Sequence, residues 1–261
     1  LRKKNDSERS APHQLTLTAT PIPRTLSMSV YANMDVSVID ELPPGRKPIQ
    51  TSCLPLSRKD KLIERISAAS KKGSKVYWIC PLIEESENLD LNAVMETYED
   101  LSEHFGQEKV GCLHGKLSAI KKQQQIQAFK DSKTSILVST TVVEVGVDIP
   151  DADIMVIENA ERFGLAQLHQ LRGRIGRGTK ESFCILLHKD KIQDVSSQRL
   201  QVLVDSQDGF KIAEEDLVIR GPGEIMGAQQ TGIVPMKYTN LVRDSQYLME
   251  TKKVAESICN E

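Results

Sequence analysis

Residues 167–178, QLHQLRGRIGRG, place Arg172, Arg174 and Arg177 within six positions, with glycines at 173, 176 and 178. Guanidinium groups keep their charge and grip phosphate or carboxylate oxygens through paired N–H donors. A glycine inside a helix costs about 1 kcal/mol relative to alanine, so repeated glycines here point to close approach by a backbone or a ligand. On a helix turning about 100° per residue, Gln167, Gln170, Arg174 and Arg177 share one face. Leu168, Leu171 and Ile175 form the apolar stripe beside it, and Gly173 and Gly176 leave a bare side. The residues alone leave two readings open: a solvated arginine face with salt bridges, or a face that meets phosphate.

The elements that must position this stretch are legible as an alternation. KDKLIERISAASKKG has apolar residues at helical spacing and ends at Gly73, a helix C-cap. KVYWICPLI follows as a strand, LNAVMETYEDLSEHFG as a helix, KVGCLHG as a strand and turn, and SAIKKQQQIQAFKDS as a helix. SILVSTT and DIMVIEN read as strands, 164–177 as a helix, and SFCILLH as a strand. Apolar strands without strict alternation, separated by helices, predict a parallel sheet covered on both faces. Upstream, QLTLTAT reads as a strand, TLSMSVYANM as a helix, and VSVIDELPPGRKPI as a strand running into a proline-rich connector. Beyond Lys189 the pattern gives two short helices, a glycine-rich segment and a final amphipathic helix, which read as an appendage to the sheet.

Composition excludes little but sharpens the rest. The 261 residues suffice for one large or two modest domains. A net charge of −2 means that any nucleic-acid site must be local. Cys80, Cys112 and Cys184 lie in apolar runs without a CxxC pair, so buried, reduced thiols are expected. No residue set has metal-ligand spacing, His114 included, and no apolar run of about 18 residues suggests a membrane span.

QLRGRIGR at 170–177 resembles motif VI, QxxGRxGR, of superfamily-two helicases. That resemblance implies that Arg174 and Arg177, with Gln170, reach across a cleft to a nucleotide bound by a partner lobe. An arginine finger of this kind is worth about 10³–10⁵ in rate. The row is expected to face the carboxyl edge of the sheet, where α/β proteins bind ligands. STTVVEVGVDIP (139–150) is similar to motif V of the same superfamily, with Thr140 and Thr141 toward DNA phosphate and Gly146 and Asp148 toward nucleotide. TATPIPR (18–24) resembles motif III, with Thr18, Thr20 and Arg24 as nucleic-acid contacts. LHGKLS offers His114, Gly115 and Lys116 at a strand-to-helix turn suited to DNA phosphate.

Residues 198–232 resemble the translocation motif shared by the RecG and transcription-repair coupling factor helicases, carried by Arg220, Gln229 and Gln230 among glycines. SVIDELPPGRKPI and PLIEESE favour the RecG branch. The resemblance implies an α/β fold: a RecA-like parallel sheet with helices on both faces, as helicase lobe two, plus a mainly helical C-terminal extension. Residues 1–45 would close lobe one and its connector, 46–190 form lobe two, and 191–261 form the extension. It further implies ATP and Mg²⁺ as cofactors, branched double-stranded DNA (forks and Holliday junctions) as partner, a monomer in the bacterial cytoplasm, and single-strand-binding protein as an added partner. The sequence contains no GxxxxGK[ST] loop and no DExH or DEAD box. The chain is therefore expected to be a motor fragment that binds ATP weakly and hydrolyses none alone. A coupling-factor translocase and a non-enzymatic DNA-binding lobe stand as alternatives.

Overall fold

A computed structural model describes residues 46–81, 87–140, 152–220 and 247–259, with isolated positions at 15, 17, 37 and 39. Six strands, β1 (Ile49–Pro55), β2 (Lys75–Cys80), β3 (Val110–Leu113), β4 (Ile136–Thr140), β5 (Ala152–Ile157) and β6 (Ser182–His188), form one sheet in the order β1-β6-β5-β2-β4-β3. Every pairing is parallel. The described helices are α1 (Lys59–Ser70), α2 (Glu87–Phe105), α3 (Ala119–Lys130), α4 (Leu165–Arg172), α5 (Asp194–Asp205), α6 (Gly209–Arg220) and α7 (Leu248–Cys259).

Strands β2, β4 and β5 are buried at every position, as a sheet covered on both faces requires. Alternate residues feed two cores. Val76, Trp78 and Cys80 pack with Leu62, Ile63, Ile66, Val94 and Leu101 of α1 and α2. Tyr77 and Ile79 join Phe129, Leu165, Leu168 and Leu171 on the other face, under α3 and α4.

Two departures from the sequence reading concern the edges. The expected strand leading into the connector falls mostly outside the described residues, whereas β1 begins at Ile49, where no strand was expected. Its sequence, IQTSCLP, lacks an apolar run because among the described strands it lies at the edge, paired with β6 and partly exposed. The two helices after the sheet do not stand apart as an appendage. Leu200 and Leu203 of α5 and Ile212 of α6 are buried in the same core as α4 and the sheet.

Local chemistry sets the helix ends. The Ser118 hydroxyl accepts from the Lys121 N–H at 3.4 Å and caps α3. After α1, Ser74 N donates to Ala69 O at 3.2 Å and Gly73 N to Ser70 O at 2.9 Å, closing a Schellman turn on Gly73 at φ +86°. The turn after α3 has the same form, with Lys133 N donating to Ala128 O at 2.9 Å, but Ser132 occupies the left-handed position at φ 59°. A non-glycine residue is disfavoured there by about 1–2 kcal/mol, and glycine's extra unfolded-state freedom cancels about half of that. Ser132→Gly is therefore expected to stabilise the chain by about 0.5–1 kcal/mol; urea denaturation of both variants measures it.

Candidate functional site

The arginine stretch does not form one continuous helix. Leu165, Leu168 and Leu171 anchor α4 in the core, and the helix ends at Arg172 with Gly173 as its cap residue. Arg174 N then donates to Leu171 O at 3.0 Å and Ile175 N to Arg172 O at 3.3 Å, a tightened turn of i→i−3 bonds. Ile175 is fully buried, and Gly176 adopts φ +70°. The expected shared face of Gln170, Arg174 and Arg177 is thus corrected: Gln170 is exposed on α4, whereas Arg174 and Arg177 lie on the loop beyond it. The glycines on either side of the Arg174–Ile175 pair accompany this exit from the helix: Gly173 is the cap residue and Gly176 takes the left-handed conformation.

The two glycines differ in role. A Cβ at Gly176 would lie 3.0 Å from Ile49 Cγ1 and 3.4 Å from Ser182 Oγ, at a φ that L residues avoid. A Cβ at Gly173 would meet the Gln170 carbonyl oxygen at 3.4 Å, an ordinary contact. Gly176 is the close-approach position; the bare side assigned to Gly173 has no neighbour that demands it.

The loop also sits at the edge opposite to the one expected. Gly176 N donates to Ala152 O at 3.4 Å and packs on Ile49 and Ser182, the first residues of β5, β1 and β6. The arginines therefore stand at the amino edge of the sheet. A helix that follows a parallel strand must run back along it, so its C-terminus ends where the strand began.

Arg174 is half-buried and, among the described residues, its guanidinium has no hydrogen-bond or ion-pair partner. Arg177 is exposed and engages another group, as does Gln170. Arg172 is different in kind. It is 3% exposed and donates to Leu203 O at 2.6 Å, Ser206 O at 2.9 Å and Thr51 Oγ1 at 3.3 Å. Its Nη2 also meets His169 Nδ1 at 3.1 Å, which makes Nδ1 an acceptor and places the ring proton on Nε2. Arg172 thus ties α4 to the α5–α6 turn and β1. The Gln207 amide completes the join, accepting from Ile49 N at 3.1 Å and donating to Ile49 O at 3.0 Å. Arg46 donates to Gly173 O at 3.1 Å and Ile175 O at 3.3 Å. Sequence reasoning assigned no role to Arg46, Arg172 or Gln207; the repetition of arginine signals only that cations gather here.

The carboxyl edge holds the other group. His114 and Thr140 end or follow neighbouring strands β3 and β4. The Thr140 Oγ1 and His114 Nδ1 atoms are buried without a hydrogen-bond partner among the described residues. Burial, then Lys122 and Lys116, hold the His114 pKa below its ordinary 6.5. Gly115 and Lys116 are exposed on the following turn, where Lys122 Nζ donates to Gly115 O at 2.9 Å. At the same edge Glu158 is a buried hub missed in the sequence. Its carboxylate accepts from Trp78 Nε1 and Thr97 Oγ1, both at 3.2 Å, and pairs with Lys59 Nζ at 3.0 Å. Lys59 also reaches Asp100 at 3.1 Å. Burial alone would lower the Lys59 pKa, but Glu158 and Asp100 outweigh it and raise it.

Thr18, Thr20, Arg24, Thr141, Gly146, Asp148, Gln229 and Gln230 lie outside the described residues; Arg220 ends α6, its side chain likewise outside them. The thiols of Cys53, Cys80, Cys112 and Cys184 are free, and burial raises Cys80 and Cys184 to about 12 and Cys53 and Cys112 to about 11.

Residues 57–179 match the family described as the helicase conserved C-terminal domain, and residues 206–261 that described as ATP-dependent DNA helicase RecG, domain 3, C-terminal. The ATP-dependent DNA helicase RecG of Escherichia coli (strain K12) is 49% identical over 259 residues, covering 99% of this chain and 37% of that protein. That of Pasteurella multocida (strain Pm70) is 49% identical over 262 residues, covering 100% of this chain and 38% of that protein. The chain thus spans little more than a third of these relatives. A solved structure of RecG bound to a three-way DNA junction is similar with a TM-score of 0.68 and 44% identity, over 88% of this chain and 30% of that one.

Two outcomes follow from the loop. Gly176→Ala is expected to destabilise the fold by about 1–3 kcal/mol through its left-handed backbone, whereas Gly173→Ala leaves thermal stability nearly unchanged. Burial, then Arg172, holds His169 below its ordinary 6.5. Proton uptake by the unfolded chain therefore comes first as pH falls, and stability present above 6.5 declines below it. His169→Gln, measured by urea denaturation on both sides of that value, is expected to flatten the decline; an unaltered slope would reject the assignment.

Proposed function

The chain belongs to the RecG family of ATP-dependent DNA helicases, and from this premise we propose that it forms the second motor lobe of an ATP-driven double-stranded DNA translocase that remodels stalled forks and branch-migrates Holliday junctions. In this reading 46–190 is the lobe, 191–261 carries the translocation motif, and the residues before 46 belong to lobe one and the connector. The match of 206–261 to the RecG domain favours this over the coupling-factor alternative.

The separation of the two edges carries the proposal. Arg174 offers donors that no described residue uses, on a loop fixed by backbone bonds at the amino edge. These donors fit the phosphates of ATP, and Arg174 and Arg177 would stabilise charge on the transferring phosphoryl group. Among the described residues no group of three His, Cys, Asp or Glu could hold Mg²⁺, and the sequence has no phosphate loop. Both belong to a partner lobe, and the chain alone is expected to show no ATP turnover. At the opposite edge, the Thr140 hydroxyl and His114 ring nitrogen, which no described residue engages, suit a DNA phosphate backbone with Lys116 beside them. Thr141, Thr18, Thr20 and Arg24 would extend that track, Gly146 and Asp148 the nucleotide side, and Arg220, Gln229 and Gln230 the translocation motif. No described helix is long and apolar enough to cross a membrane. The reading extends to a cytoplasmic monomer working beside single-strand-binding protein.

The test uses the product of the full reading frame that encodes this chain. Arg174→Ala is expected to lower DNA-stimulated ATP turnover by about 10³-fold or more while nucleotide binding is kept. Unchanged turnover would reject the finger role, and wild-type protein without turnover would favour the non-enzymatic lobe.

A further inference from the structure

Arg46 lies three residues before β1 and 128 positions before Arg174, yet its guanidinium touches the loop on both sides of that residue. One Nη2 donates to Gly173 O at 3.1 Å and to Ile175 O at 3.3 Å. Gly173 is the cap of α4, whose last carbonyls lack partners within the helix and carry the negative end of its dipole. The Gly173 carbonyl is one of these and the Ile175 carbonyl lies two residues beyond the cap, so one cation ties the helix end to the loop that follows it. The bridge also fixes a turn that has a glycine on either side of the Arg174–Ile175 pair and could otherwise adopt several conformations. Arg46 is itself anchored: Ile49, where β1 starts, is paired through its N–H and its C=O to the Gln207 side chain.

We infer that Arg46 is a positioning residue for the phosphate-facing arginine, holding the peptides that flank Arg174 so that its guanidinium is presented in one orientation. The inference rests on the reading of Arg174 as the group that meets the nucleotide. Arg46 spends donors on backbone carbonyls, so it acts through Arg174. Misplacing a catalytic group by about 1 Å can cost about 10²-fold in rate, which sets the size of the effect.

The experiment is a double-mutant cycle in the product of the full reading frame, with DNA-stimulated ATP turnover measured for Arg46→Gln, Arg174→Ala and the pair. Arg46→Gln is expected to lower kcat by about 10²-fold with KM for ATP unchanged. Arg46→Lys, which restores the charge, recovers part of the loss. Added to Arg174→Ala, Arg46→Gln brings no further loss. An equal loss in both backgrounds, or none in either, would overturn the inference, while a fully active Arg174→Ala would instead overturn the reading on which it rests. A second measurement is independent of catalysis: amide hydrogen exchange at residues 174–176 of this chain is expected to accelerate on Arg46→Gln. Exchange at the wild-type rate would show that Arg46 does not hold the turn.

Discussion

In a sheet whose strands all run one way, every helix that follows a strand must return along it. That constraint assigns the two ends of α4 to opposite edges of the molecule. Its start belongs with Glu158 and the residues beyond β5, at the edge shared with His114 and Thr140. After eight residues, about 12 Å of helix, it delivers Arg172 and the loop behind it to the other edge. On the proposed reading, nucleotide and DNA phosphates would meet opposite edges of one lobe, and a single short helix spans the distance between them.

Two buried charges hold these edges, by different means. Glu158 is neutralised by an ion pair and filled by neutral donors from β2 and α2, so it joins three elements where the sheet would otherwise end in loose loops. Arg172 has no carboxylate among its bonds with described residues; its donors go to two backbone carbonyls, a hydroxyl and an imidazole. Carbonyl oxygens left by α5 and its turn are thus satisfied by an arginine from α4. This is why α5 and α6 pack into the same core as α4 and the sheet.

Residue type and spacing marked the arginine stretch as a place where cations gather, and the central strands were legible because burial on both faces leaves a continuous apolar record. The end of α4 was not, since helical periodicity still holds through Ile175. The left-handed Gly176, seated against Ile49 and Ser182, marks where the chain has left the helix, and that contact is long-range. The edge that the arginines face depends on sheet direction and connection, not on any local string. β1 was missed because an edge strand mixes apolar and polar residues. Arg46 and Gln207 act at sequence separations above one hundred residues, where a single chain offers no pattern to follow.

The position of β1 has a consequence for the growing polypeptide. Among the described residues it is the first strand of the sheet in the chain, yet its neighbour there is β6, the last, with Ile49 opposite Ser182. At a synthesis rate of roughly 5–20 residues per second, about 7–27 seconds pass between the emergence of Ile49 and that of Ser182. Through that interval the central strands can pair while β1 waits for β6, so closing the β1 edge is a late step in the assembly of this lobe.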